Sequence, residues 1–272
     1  TDEGWRDQIR LVETWHGAAN GRIHVALSPR GPRNATVETW KRCVSLAEEA
    51  DLRLHTHVNE NKDQANLLGD SPEGRDVEFL AGVGALSERL VMAHAVWLSA
   101  KERDLVRASR PHVCHCPSTN LKLASGIAPV PGLLADGVNV ALGADGAPAN
   151  NRLDGFEEMR LAALIHKLSH GPRAVPAATV FEMATMGGAR ALGLAGEIGS
   201  LEVGKQADIV VVSRQRLHVS PREGGDPISE LVYAHRASDV SAVVVAGQVV
   251  VDDSDLQSGS TEQIRTEAEK QR

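Results

Sequence analysis

The sequence predicts an α/β protein: a parallel sheet built from strand–helix units, open or closed into a barrel, followed by a small antiparallel sheet. Three observations carry this expectation. Short apolar runs alternate with segments of helical period from residue 21 to residue 193. From Gly199 the pattern changes to valine-rich runs joined by glycine turns, A-D-I-V-V-V and S-A-V-V-V-A-G-Q-V-V-V. A chain of 272 residues with 42% hydrophobic side chains can bury a barrel-sized core and a small appendage.

The first fifteen residues, T-D-E-G-W-R-D-Q-I-R-L-V-E-T-W, read as an amphipathic helix with Ile9, Val12 and Trp15 inward. Residues 21–28 (G-R-I-H-V-A-L-S) read as a strand, and Val37, Trp40, Val44 and Ala47 then recur at helical spacing. Further strands are expected at 52–58 (L-R-L-H-T-H-V), 90–96 (L-V-M-A-H-A-V), 112–116 (H-V-C-H-C, closed by Pro117) and 139–144 (N-V-A-L-G-A). Between them, Ser99 and Glu102 have the spacing of a capping box that opens a helix. A brief helix at 133–135 ends at Asp136 and Gly137, and a long one at 155–168 carries Phe156, Met159 and Ala162 on its apolar side. The polar end, residues 261–272, is either an exposed helix or a frayed tail. These elements divide the chain into 1–198, a barrel portion; 199–252, a sheet portion; and 253–272, a polar tail.

A net charge of -7 argues against a nucleic-acid surface. No apolar run approaches the ~20 residues of a membrane span, and no signal-peptide pattern opens the chain. Three cysteines, Cys43, Cys114 and Cys116, are too few and too odd in number for a disulfide framework, which points to a reducing, cytoplasmic location. The C-H-C of Cys114–Cys116 lacks zinc-knuckle spacing and a second pair, so packing is the expected role. The chain opens without an initiator methionine, as a processed protein or the back portion of something longer would.

The chemistry gathers at strand ends. His57, His94 and Asp145 each fall at or just after the C-terminal end of an expected strand, the edge where β/α barrels assemble active sites. A lone histidine is more often a hydrogen-bonded core side chain; three such residues sharing one placement favour a site. In L-H-T-H-V-N-E, His55 and His57 point to the same face of a strand, so they could chelate one ion together. Alternatively, His55 lies one layer deeper and simply packs. Glu60, three residues beyond His57, can serve as the proton carrier that a zinc hydrolase needs, or as a first-turn helix carboxylate ahead of N-K-D-Q-A-N. Local spacing leaves both questions open.

Longer motifs decide between them. A-H-A-V-W-L-S, H-C-P-S-T-N-L-K-L-A-S-G-I-A-P-V-P, L-G-A-D-G-A-P-A-N-N-R-L-D-G-F-E-E-M-R-L-A-A-L-I-H-K and E-I-G-S-L-E-V-G-K-Q-A-D-I-V-V-V follow in the order seen in the amidohydrolase superfamily. From about residue 21 to residue 252 the chain resembles its aminohydrolase branch, with deaminases of methylthioadenosine, S-adenosylhomocysteine and 5'-deoxyadenosine, and triazine hydrolases nearby. The resemblance implies a (β/α) TIM-type barrel, partial, comprising about the last five strands, with a small β-sandwich portion at the C-terminal end. It implies that His57 and Asp145 are metal ligands, that Glu60 shuttles a proton, and that His94 contacts substrate and polarises the attacking water. Glu60 and His94 also bind substrate in that scheme, and His55 is a neighbour rather than a ligand. The implied cofactor is one Zn²⁺ per site, or another divalent metal such as Fe²⁺. The implied partners are a small heterocyclic substrate and water, with no nucleic acid or membrane; homo-oligomers are compatible.

The activity implied is hydrolytic deamination of an aminated purine-like ring. The alternatives are a triazine chlorohydrolase or alkylaminohydrolase on the same fold, and an inactive fragment. The last arises because the family's first-strand HxH, source of two further metal ligands, has no counterpart before residue 21. Two protein ligands instead of the usual three would hold metal weakly. His115, Pro117 and Asn120 are expected to shape the pocket floor, by structure as much as by contact with substrate. For Asn150, Asn151 and Asp154, which closely follow Asp145, capping of the next helix is at least as good an explanation as chemistry, and Glu157 and Arg160 are expected to pair across one helical turn. His24 and His112 are assigned to the core, while His16, His166, His170, His218 and His235 lie away from the strand ends.

Overall fold

The computed structural model describes residues 2–63, 75–220 and 224–270. Five parallel strands, β1 (Ala26–Leu27), β2 (Arg53–Val58), β3 (Leu90–His94), β4 (His112–His115) and β5 (Val140–Leu142), lie side by side in chain order. The pairings run Leu27↔Leu54, His57↔Ala93, Ala93↔Cys114 and Cys114↔Ala141, so every C-terminal strand end falls on one edge. Each connection carries a helix, as parallel neighbours require. This is the expected run of β/α barrel units.

Alternation along β2 explains the layering. Leu54, Thr56 and Val58 are buried, while His55 and His57 project from the opposite, exposed face. The buried face joins Trp40, Leu80, Leu90, Met92 and Leu133, all essentially inaccessible, in one core between sheet and helices. The helix Val37–Glu49 begins at Thr36, whose side chain accepts the Thr39 N–H, and it buries Trp40, Cys43 and Ala47. Trp40 meets Phe79 edge to face, with ring centroids 6.3 Å apart. The expected capping box is present at Ser99, which accepts the Glu102 N–H, while the Glu102 carboxylate accepts the Ser99 N–H.

The second sheet is an antiparallel meander, β6 (Ile209–Val212), β7 (Val240–Val245), β8 (Gln248–Asp252) and β9 (Asp255–Leu256). The approach to β7 is organised by buried Asp239, which accepts hydrogen bonds from His218 Nε2 (2.8 Å), His235 Nδ1 (3.2 Å) and the Arg236 N–H (3.0 Å). A helix at Thr261–Lys270 with no buried residue resolves the tail in favour of an exposed helix; residues 271–272 lie outside the described residues.

Several expectations are corrected. The strand at 21–28 shrinks to Ala26–Leu27, because residues 17–21 form a turn with left-handed Ala19 and Asn20. The strand at 90–96 stops at His94, where His94 (φ 71°) and Ala95 (φ 48°) leave the extended region. Trp15 is half exposed; Trp5, not Trp15, packs on the core with Val12, and Arg42 lies 4.2 Å over its ring. His24 is exposed rather than core. Glu157 pairs with Arg152 at 3.8 Å, not with Arg160, whose Nη1 donates to the Tyr233 carbonyl at 2.5 Å. The helix at 155–168 is Gly155–Ile165, followed by a separate turn at Lys167–His170.

The two tryptophans give a direct check on this packing. Trp40→Ala should lower the unfolding free energy by about 3–5 kcal/mol, and Trp15→Ala by no more than about 0.5 kcal/mol. Urea denaturation followed by circular dichroism measures both; equal losses would contradict the placement of the first helix.

Candidate metal and acid–base site

His57, the last residue on the exposed face of β2, has its ring fixed from behind: Nδ1 donates to the Arg30 carbonyl at 2.6 Å. That assigns the proton to Nδ1 and leaves the Nε2 lone pair for the cavity. His94 ends β3 and is 1% exposed. Its Nδ1 donates to Asn120 Oδ1 at 2.9 Å, again leaving Nε2 to face the site. The two imidazoles stack with centroids 5.4 Å apart and planes 27° from parallel. Asp145 follows β5 in a left-handed conformation (φ 60°), and its Oδ1 accepts the Gly146 N–H at 2.6 Å.

One donor atom from each of His57, His94 and Asp145 lies within 4.8 Å of the others. Among the described residues these form the one group of three or more His, Cys, Asp or Glu side chains so arranged. Two imidazoles whose second nitrogen is hydrogen-bonded, plus a carboxylate, suit a divalent cation of the zinc type. His94 Nε2 stands 3.9 Å from Asp145 Oδ2 and 4.0 Å from Glu60 Oε2. Both separations exceed a hydrogen bond, yet one small group could touch all three side chains. Glu60 is half-buried and accepts from Ser125 Oγ at 3.2 Å. A cavity of about 450 Å³ opens here, lined by His57, Asn59, Glu60 and Asp145 together with Arg30 and Leu123.

All four residues singled out from the sequence therefore meet at one place, and His94 joins the metal-ligand candidates as a third donor. His55 points to the same face as His57 but is not in the donor cluster. His115 does not line the cavity; it is fully buried and packs on His166, centroids 5.5 Å apart. Asp154 caps its helix, accepting from the Phe156 and Glu157 N–H groups, and Asn150 Oδ1 holds the turn before it through Arg152 and Leu153. Asn151 instead accepts from the Lys122 ammonium. The alternative placement of Glu60 in a first helical turn involves residues 61–66, of which 64–66 lie outside the described residues.

Three supporting contacts escape sequence inspection, one of them made by the capping-box residue Glu102. Buried Glu102 accepts from Asn59 Nδ2 at 2.7 Å, behind the His57–Glu60 segment. Buried Glu158 accepts from the Ser118 N–H (3.2 Å) and Asn150 Nδ2 (2.6 Å), tying together the loops after β4 and β5. Ser125, which holds Glu60, sits in the quoted L-K-L-A-S-G-I run without a local signal. Burial pushes the Asp76 carboxyl above the ordinary carboxylate range, against the opposing pull of the Asn59 N–H and Arg33.

Comparison with known proteins places these features in a family context. The model of the amidohydrolase family matches residues 1–250. A 5'-deoxyadenosine deaminase of Methanothermobacter thermautotrophicus is 42% identical over 253 residues, covering 93% of this chain and 58% of that protein. A 5-methylthioadenosine/S-adenosylhomocysteine deaminase of Pelotomaculum thermopropionicum is 39% identical, covering 97% and 60%. The crystal structure of an adenosine deaminase from Xanthomonas campestris with bound zinc superposes with a TM-score of 0.93 at 33% identity, covering 99% of this chain and 61% of that one. Atrazine chlorohydrolase from Arthrobacter aurescens TC1, complexed with zinc, gives 0.91 at 27% identity, covering 99% and 59%. The chain thus spans about three fifths of the length of the curated relatives it matches.

The buried histidine pair beneath the site makes stability depend on pH. Burial, aided by His166, lowers the His115 pKa to about 3, and burial, aided by His170, lowers that of His166 to about 4. The folded state therefore binds fewer protons than the unfolded chain below about pH 6.5. Stability should be complete above that pH and decline toward about pH 4, by about 1.4 kcal/mol per pH unit for each histidine. His166→Gln should remove one histidine's share of that slope in denaturant titrations between pH 6.5 and pH 4; an unchanged slope would show that His166 does not titrate on unfolding.

Proposed function

The chain belongs to the amidohydrolase family, and on that premise we propose that the protein of which it is part hydrolytically deaminates an aminated purine-like heterocycle of the adenosine-derivative type. The observation that carries this reading is the convergence of His57, His94 and Asp145 donor atoms within 4.8 Å, beside Glu60. Relatives named as deaminases of 5'-deoxyadenosine and of 5-methylthioadenosine/S-adenosylhomocysteine, at 42% and 39% identity, supply the substrate class.

His57 and Asp145 are assigned as ligands to one Zn²⁺, or another divalent ion such as Fe²⁺. The ion supplies Lewis acidity that brings the pKa of water toward neutrality. Asp145 and His94 hold the attacking water, with Asp145 taking its proton while the oxygen bonds to the amino-bearing ring carbon. Glu60, in its acid form, donates a proton to the adjacent ring nitrogen, takes up the proton held by Asp145 and passes it to the departing amine. The carbon–nitrogen bond breaks with loss of ammonia as the new hydroxyl becomes a carbonyl and its proton restores Glu60. The Asn120 bond to His94 Nδ1 keeps Nε2 aimed at the water. No helix among the described residues is long and apolar enough to cross a membrane, and all three cysteines are free, which fits the reducing cytoplasm.

A second reading, hydrolysis of a triazine substituent, is favoured by the 0.91 TM-score to atrazine chlorohydrolase. Released ammonia measured against released chloride, over a panel of 5'-substituted adenosines and chlorotriazines, separates the two. The first reading expects ammonia from adenosines alone. In the full-length protein, Glu60→Gln should reduce kcat by about 10²- to 10⁴-fold with bound zinc retained by elemental analysis. Undiminished turnover would remove Glu60 as proton carrier.

A further inference from the structure

Among the described residues Glu60 has a single side-chain hydrogen bond, from Ser125, so its direction is set chiefly by the backbone that delivers it. That backbone turns at Asn59, which is 1% exposed and has φ 45°, in the left-handed region that asparagine tolerates better than most residues. Four hydrogen bonds fix the turn. The Asn59 N–H donates to Asp76 Oδ2 at 2.8 Å, and its Nδ2 to Glu102 Oε1 at 2.7 Å. Its carbonyl accepts the Trp97 N–H at 3.0 Å, and the preceding Val58 carbonyl accepts the Ala95 N–H at 3.0 Å.

The clamp is itself rigid. Glu102 is fully buried and also accepts from Arg75 Nε (2.7 Å) and the Ser99 N–H (2.8 Å); Asp76 accepts from Arg33 at 3.4 Å. Trp97 closes the loop, because its indole Nε1 donates to the carbonyl of Ser125 at 2.6 Å, the residue that holds Glu60. Backbone and carboxylate of the Asn59–Glu60 unit are thus referred to the same frame. A free asparagine at a strand end would need neither of two buried carboxylates, and desolvating them has a cost that only well-made hydrogen bonds offset.

We propose that Asn59 is a positioning residue for Glu60: its clamped left-handed turn aims the Glu60 carboxylate at the point shared by His57, His94 and Asp145. This rests on the reading of Glu60 as proton carrier. Displacement of an acid–base group by about 1 Å costs on the order of 10²-fold in rate. Asn59→Gly keeps the backbone conformation accessible and deletes the amide. In the full-length enzyme it should lower kcat about 10- to 100-fold with KM unchanged.

Two comparisons make the role distinguishable from a structural one. In a Glu60→Gln background, Asn59→Gly should cause no further loss, since there is no carboxylate left to aim. Zinc affinity by chelator competition should stay at the wild-type value, whereas action through the His57 ligand would lower it about 10- to 100-fold. Additive losses in the double variant, or zinc affinity falling in step with kcat, would overturn the assignment while leaving Glu60 as proton carrier. A Glu60→Gln enzyme with wild-type turnover would overturn both. Should Asn59→Gly not fold, Asn59→Ser, which keeps a shorter donor, carries the same expectation with a smaller loss.

Discussion

The site depends on how the chain leaves the sheet. Asn59, His94 with Ala95, and Asp145 all adopt positive φ, at or just beyond the ends of β2, β3 and β5. For an L-residue this region costs about 1–2 kcal/mol each, so surrounding contacts must over-determine it. At each place they do: Asn59 sits in a clamp of carboxylates and backbone, His94 is held by Asn120, and Asp145 closes on the Gly146 N–H. Turning at a left-handed residue lets a strand, whose side chains alternate between two faces, direct a chosen side chain over the strand end.

Buried carboxylates on the outer helices fasten the loops around these turns. Glu102 and Glu158 are nearly inaccessible, yet neither is a site residue; each collects donors from the loops that carry site residues. Unpaired, such a charge would destabilise the fold by several kcal/mol, so the donors and the carboxylate constrain one another. Glu102 spends part of its capacity capping its own helix and part on Asn59, which joins the helix start and the loop that carries Glu60 in one network. Asp239 does the equivalent at the second sheet, gathering His218 and His235 where the chain enters β7. Histidines remote from strand ends can therefore be structural without being inert.

Much of this was legible in one dimension. Periodicity located the five strands of the first sheet and three of the second, because alternation and valine-rich runs are local; β9 (Asp255–Leu256) falls in the stretch read as a polar tail. Strand ends placed His57, His94 and Asp145 on one edge, because parallel strands in sequential order share a direction. Boundaries were less legible: β1 and β3 are shorter than their apolar runs, since left-handed turns that depend on neighbouring loops cut them off. The first helix was assigned the wrong tryptophan, because Trp5 and Trp15 both lie near its apolar stripe and only contact with the core and Arg42 selects Trp5.

The sequence by itself determined the succession of β/α units, the switch to an antiparallel meander and, through the family resemblance of its ordered motifs, the four residues that meet at the site. These are carried by hydrophobic period and by ordered motifs, which are properties of neighbouring residues. Only the tertiary structure decided which side chains hold those four in place. Asn59 and Glu102 are 43 positions apart, Ser118 and Glu158 are 40, and Ser125 and Glu60 are 65. Hydrogen bonds between such distant positions leave no periodic trace; they exist because the sheet brings the strand ends together and burial leaves their polar groups no solvent to turn to.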